Sequence, residues 1–361
     1  MSEDVRAMDK SPDGGFVRGA SGRRIGRRSF IKRGSVSLAG AGLASVLGAH
    51  DANGQSARKT RLVMVKHDGA TDEQGTGLPD IVRQMVDTAI RELTGKGSLR
   101  DAWREFVSPD DVVGLKINLR GGRRLSTQPC VVNPILDGLV EAGVKRNNII
   151  VYDAENGEFR RAGFQLNDST DGVRYFGADR GARGRERRQF YSTKPVAVAD
   201  KAVYFSKILA EEITALINIP LIKDHRIAGV TVSMKNHFGS ILNPNDLHPN
   251  CCDPYLAELN ATAPIKDKTR LIIVDGLRAL YNGGPRDNPP YRWRQNSIIA
   301  CADTVAVDHV GLEIIEAKRK ENGVAPLGER ARHVATAAKI GLGTNDPAKI
   351  DLREVDITRS V

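Results

Sequence analysis

Short apolar runs of strand length alternate along this chain with segments of helical period, and no other feature restricts its fold so strongly. The strand runs are RLVMVK (61–66), DVVGLKINL (111–119), NIIVY (148–152), TALINIPLIK (214–223), RLIIV (270–274) and SIIAC (297–301), with a closing run at 349–357. Between the first two, Ile81, Val82, Met85, Val86, Ala89, Ile90 and Leu93 recur at the spacing that lines one face of a helix over 78–93. Further helices are expected at 133–142, closed by Gly143, and at 229–238, 255–263, 304–320 and 329–340. Residues 202–205 read as a polar helical piece. The alternation predicts an α/β fold, a mixed, mostly parallel sheet flanked by helices. Residues 155–195 break it: six arginines between 174 and 188, with glycines among them, fit either a mobile loop over an anionic ligand or a solvated insertion.

In open α/β sheets ligands bind beyond the carboxyl ends of the strands, so the residues where apolar runs stop carry the most information. They are Lys116 and Asn118, Asp153, the triplet Lys223-Asp224-His225, Asp275 and Asp303. Lys116, between Leu115 and Ile117, is either on an exposed face or held in a site, because burying an unpaired lysine is costly. Ten residues after His225 comes Lys235-Asn236-His237, which a helix over 229–238 would place near Thr231. Ammonium groups supply charge, and imidazole and amide groups supply direction, so an anion pocket is the chemical expectation. Clustered cations also lower lysine pKa values toward neutrality, which suits proton transfer. The candidate catalytic set is Lys223, His225, Lys235 and His237. Lys116, Asn118, Asn236, Asp275 and Asp303 are the candidate substrate-binding set, the two aspartates orienting the lysines or holding a divalent metal. His248, Cys251 and Cys252 are a candidate metal set, against the plainer reading of two loop thiols.

The four cysteines, Cys130, Cys251, Cys252 and Cys301, contain no Cys-x-x-Cys, so their spacing supports neither an iron–sulfur cluster nor a zinc ribbon. No nucleophile elbow, Walker loop or Gly-x-Gly-x-x-Gly after a strand occurs, and no cofactor is indicated.

The first 57 residues stand apart. Gly26-Arg27-Arg28-Ser29-Phe30-Ile31-Lys32 leads into an uncharged run of fourteen Ser, Ala, Gly, Val and Leu residues, Ser35 to Gly48. This reads as a twin-arginine signal, implying export of the folded chain by the Tat machinery to a periplasmic or other extracytoplasmic location. The run is shorter than the ~20 residues of a membrane span, so no stable span is expected. Residues 58–361 remain as one α/β domain, in one lobe or two. The whole chain carries 54 Lys and Arg against 44 Asp and Glu; the leader takes nine and five of these, leaving a net charge of +6. That mild excess suits small anions. Aromatic residues are only 5% of the chain and do not interleave with the basic ones, so no nucleic-acid partner is expected.

At these residues the chain resembles the domain-of-unknown-function family numbered 362. The resemblance lies in VGLKINL (113–119), INIPLIKDH (217–225), VTVSMKNHFG (230–239), Leu247-His248, IIVDGLRALYNGGP (272–285), ADTVAVDHVG (302–311) and GLGTNDPAKIDL (341–352). It implies an α/β fold and, by position, a polar set of Lys116, Asn118, Lys223, His225, Lys235, Asn236, Asp275, Asp303 and Asp308. Some relatives carry a ferredoxin-like iron–sulfur module; this chain lacks its clustered cysteines. Two functions follow as expectations: an exported enzyme, its chemistry open to a redox link, binding a small anionic substrate, or a non-catalytic periplasmic carrier of an anionic metabolite or metallocofactor. Nucleic-acid binding by the arginine-rich stretch ranks below both.

Overall fold

The structure, a computed structural model, describes residues 59–358. The leader motif lies outside them. In chain order, β1 (Thr60–Lys66) is followed by α1 (Pro79–Thr94), α2 (Leu99–Arg104), β2 (Val113–Lys116), α3 (Pro129–Ala142), β3 (Ile149–Asp153) and α4 (Asn156–Ala162). Next come β4 (Arg174–Gly177), a hairpin of β5 (Val196–Val198) and β6 (Lys201–Val203), then β7 (Ala215–Asn218), β8 (Leu221–His225) and β9 (Gly229–Thr231). The chain continues through α5 (Ser233–Asn236), α6 (Tyr255–Ala261), α7 (Ala263–Lys266), β10 (Thr269–Leu280), β11 (Arg292–Cys301), α8 (Thr304–Glu321), α9 (His333–Lys339) and β12 (Ile350–Asp356).

Ten strands form one mixed sheet, ordered β12-β1-β11-β10-β7-β2-β3-β4, with β8 and β9 branching from β10. Most pairings are parallel; β11 runs against both β1 and β10, and β9 against β8. The predicted α/β architecture is therefore observed. Along β2, β3, β7 and β10, alternate residues such as Leu115, Val151, Ile217 and Ile273 pack on α1, α2 and α3. The α1 stripe Val82, Met85, Val86, Ala89, Ile90 and Leu93 is buried there, and the helix ends on Gly95 in the left-handed region (φ 71°). The opposite face meets two apolar clusters, one with α6 and the β5–β6 hairpin, the other with α8.

Several boundaries differ from expectation. The run 214–223 is two strands, because Pro220 has no N–H to continue the ladder; its carbonyl instead accepts from Asp275 N at 2.9 Å. Residues 229–238 are not one helix. The β-branched Val230 and Thr231 favour extended backbone and lie in β9 against β8, and helix begins only at Ser233. Residues 202–205 lie in β6 and its exit rather than in a helix, pairing with β5. The arginine-rich stretch is partly structural: β4 is a parallel neighbour of β3, Phe176 is buried, and Arg180 stacks 3.5 Å over its ring while pairing with Glu212 at 3.0 Å. Among the described residues, no helix is long and apolar enough to cross a membrane.

Candidate functional site

Lys116 ends β2 and points away from the α1–α3 face, because its neighbours Leu115 and Ile117 point into it. The side chain is wholly buried. All three ammonium donors are used, on Asp153 Oδ1 (2.7 Å), Ile117 O (2.7 Å) and Asn236 Oδ1 (3.2 Å). Asp153 closes its other oxygen on Leu119 N at 2.7 Å. Asn236 is the hub. Its Nδ2 donates to Lys116 O (3.1 Å) and Asn218 Oδ1 (2.7 Å), and its Oδ1 also accepts from Asn118 Nδ2 (3.0 Å). Lys116 and Asn236, expected to bind substrate, are therefore saturated by protein partners. Gly239 passes so close that a Cβ would meet Asp153 Oδ1 and Lys116 Nζ, so this position admits hydrogen alone.

Two other lysines are buried without being saturated. Lys223 Nζ donates to Asn118 Oδ1 at 2.7 Å. Lys235 Nζ lies 3.3 Å from His248 Nε2 and stands 3.3 Å from the centre of the Phe238 ring. Neither forms an ion pair with a carboxylate among the described residues. Burial, opposed by the charges of Asp153 and Glu158 and assisted by those of Lys116 and Arg120, brings Lys223 down to about 8. Burial, opposed by Cys252 and assisted by the charges of Lys223 and Arg120, brings Lys235 down to about 7.

The histidines are held neutral. His225 lies on the same face of β8 as Lys223; its Nδ1 accepts from Ile227 N (3.2 Å) and Ala228 N (3.1 Å), and its ring stacks on His248 at 5.7 Å. Burial, then Lys235, pulls His225 to about 2. Burial, then Lys116, pulls His237 to about 3. His248, by burial and Lys235, falls to about 4.

The structure separates three expected members from this group. Asp275 belongs to the opposite face of the sheet, with Leu271 and Ile273, where its carboxylate accepts from Gln128 N (2.8 Å) and Leu277 N (3.1 Å) at the start of α3; burial raises it to about 6. Asp303 follows β11, which runs antiparallel to β10, and so stands at the other end of the sheet. There it caps α8 through Val305 N (2.8 Å) and Ala306 N (2.9 Å). Asp224 points to the other face of β8 and pairs with buried Arg319 at 3.5 Å. Among the described residues no group of three His, Cys, Asp or Glu side chains is placed to hold an ion. His248 turns Nε2 to Lys235. Cys252 is buried with Sγ 3.9 Å from His248 O, and Cys251 lies in a left-handed turn (φ 58°).

Two further residues tie the site together: Asn218, which escaped the sequence reading, and Asp308, which the resemblance implied. Asn218 donates to Ser233 O (3.0 Å) and Ser233 Oγ (3.1 Å), tying β7 to α5. Asp308 accepts from Ser233 N (2.5 Å) and Met234 N (3.2 Å), so a residue of α8 anchors the short helix that carries Lys235, Asn236 and His237. Asn218 had a visible signal, as the polar end of an apolar run; the tie from α8 to α5 spans 75 residues and had none. A surface cleft of about 510 Å³ lies elsewhere, between α1, α3 and β4, but its Arg83 and Arg146 are both engaged by Asp137, at 2.6 and 4.0 Å.

A family model described as Domain of unknown function (DUF362) matches residues 113–313. The chain belongs to this family. The matched span runs from β2 into α8 and holds the whole network from Lys116 to Asp308; β1, α1, α2, α9 and β12 lie outside it. Among solved structures, a crystal structure of a protein from Thermotoga maritima matches with 10% identity and a TM-score of 0.35, over 69% of this chain and 60% of that one. No curated protein matches the DUF362 chain.

The depressed lysines set a pH dependence. Lys223 and Lys235 have folded pKa values near 8 and 7, below the ~10.4 of an unfolded lysine, so between pH 7 and 8.5 the unfolded state binds more protons. The two lysines therefore add ~1–2 kcal/mol of stability as pH rises across this window, and Asp308, raised by burial to about 7, offsets part of it. Above it the buried Cys130, Cys252 and Cys301 thiols, raised to about 12, 11 and 12, act in the opposite sense. Urea denaturation of the ligand-free protein at pH 7 and 8.5 measures the effect, and a flat or falling midpoint contradicts the assignment.

Proposed function

We propose that this DUF362 protein is an exported enzyme that binds a small anionic substrate on Lys223 and Lys235 and moves a proton with Lys235. One observation carries the reading: two buried ammonium groups keep spare donors and form no ion pair with a carboxylate, whereas nearby Lys116 is paired with Asp153 and fully hydrogen-bonded. A buried cation in that state is stabilised by an incoming anion, which restores its ionised form. Asn118 holds Lys223 in place, and Asn236 holds Asn118. His225 and His237 were the expected proton carriers. Their depressed basicity, and the two amides already bound at His225 Nδ1, favour instead an amine with a pKa near 7, which is matched to proton transfer at neutral pH. His248 and Phe238 then fix the amine's direction. Export rests on the Arg27-Arg28 motif and the uncharged run that follows it.

The test is to produce the chain with its leader, purify the exported form, and identify retained ligands by native mass spectrometry. Thermal shifts with phosphate, acetate and citrate accompany it. A retained or added anion that raises the melting temperature supports the site; no response to any of them removes it. An Arg27→Lys, Arg28→Lys double variant is expected to stay in the cytoplasm, and its unimpaired export would remove the location.

A further inference from the structure

Within electrostatic reach of Lys223, though outside its hydrogen-bonded network, stands a carboxylate with no role so far. Glu158, on α4, is only 3% exposed. Its Oε1 accepts from Arg120 Nη1 at 2.9 Å, while Oε2 is buried and accepts no hydrogen bond from any described residue. Other buried atoms that share that condition include Thr231 Oγ1, paired across the strands from Lys223, and His237 Nδ1. An unpaired buried carboxylate oxygen is costly, and native proteins rarely keep one without a use. Burial, then the charge of Asp153, pushes the Glu158 carboxyl up, and its own charge favours the protonated form of Lys223. Arg120, half exposed, covers one oxygen and leaves the other.

Building on the anion site proposed above, we infer that Glu158 Oε2 is a ligand-facing acceptor. The ligand is then a small anion that also carries a hydroxyl or amino hydrogen-bond donor. Its anionic end meets Lys223 and Lys235, and its donor meets Glu158. A simple inorganic or aliphatic anion fills the first position and leaves the second unpaired.

Matched probes test this by calorimetry: lactate against propionate, and malate against succinate. Wild-type protein is expected to prefer the hydroxylated member about tenfold or more, as a hydrogen bond to a charged acceptor provides. Glu158→Gln, which turns one acceptor into a donor, is expected to bring that ratio to about one, the ratio and not the absolute affinities being the readout. Equal affinities in wild-type protein overturn the donor assignment and leave the anion site standing. A ratio that persists in Glu158→Gln overturns the role of Glu158. If no probe binds wild-type protein at millimolar concentration, both readings fall. The wild-type ratios decide the question even if the variant does not fold.

Discussion

Lys116→Met is expected to destabilise the fold by about 3–5 kcal/mol, the range for removing one partner of a buried ion pair. The loss does not come from apolar packing, which methionine largely preserves. It comes from Asp153, whose Oδ1 loses the ammonium 2.7 Å away while the carboxylate stays buried. Ile117 O and one lone pair of Asn236 Oδ1 lose their donor at the same time. Urea denaturation at pH 7 measures the difference. A change under about 1 kcal/mol would mean that water reaches Asp153 freely, and the saturated network described above would be wrong. The double variant Lys116→Met, Asp153→Asn should recover part of the loss, since it also removes the stranded charge.

Lys235→Met is expected to have the reverse effect. Its ammonium is buried against a neutral imidazole and an aromatic ring, with no carboxylate partner, so the folded state bears a desolvation cost that methionine removes. Ligand-free protein should gain about 1–3 kcal/mol at pH 7. The pH dependence between 7 and 8.5 should shrink with it, because Lys235 contributes the larger share. Anion binding should fall at least about thirtyfold, consistent with the ~2–5 kcal/mol cost of truncating one partner of a buried charge pair. Lys223→Met should behave alike with a smaller gain, its pKa being less depressed and its Asn118 contact being lost. Greater stability with lost binding is the signature of a residue kept for function. A variant that loses stability, or keeps full anion affinity, removes Lys235 from the site.

The architecture was legible because it rests on local periodicity. The α1 stripe, the strand runs at 61–66, 148–152 and 297–301, and the closing glycine at 143 are statements about neighbouring residues, and the structure repeats them. The misreadings had local causes with distant deciders. Residues 229–231 open a stretch with helical-looking apolar spacing, yet β-branched residues and the free edge of β8 make them a strand. The candidate site was legible as a list of strand-end polar residues but not as a geometry. Lys116, Asn118, Lys223, Asn236 and Asp153 do meet, whereas Asp275 and Asp303 share the same sequence signature and stand elsewhere. Strand direction and face parity decide between them, and both depend on pairings that no single run contains.

The reach of the Asn236 hub bears on how the protein acquires its site. Its amide joins Lys116 and Asn118, which precede it by 120 and 118 residues. No fragment ending before α5 can close that junction. Contacts of such sequence separation form after the loop-closure entropy has been met, which places them late and slows the search for the native topology. A ribosome-bound chain that stops short of α5 should therefore present Lys116 and Asn118 without the amide that joins them in the finished fold.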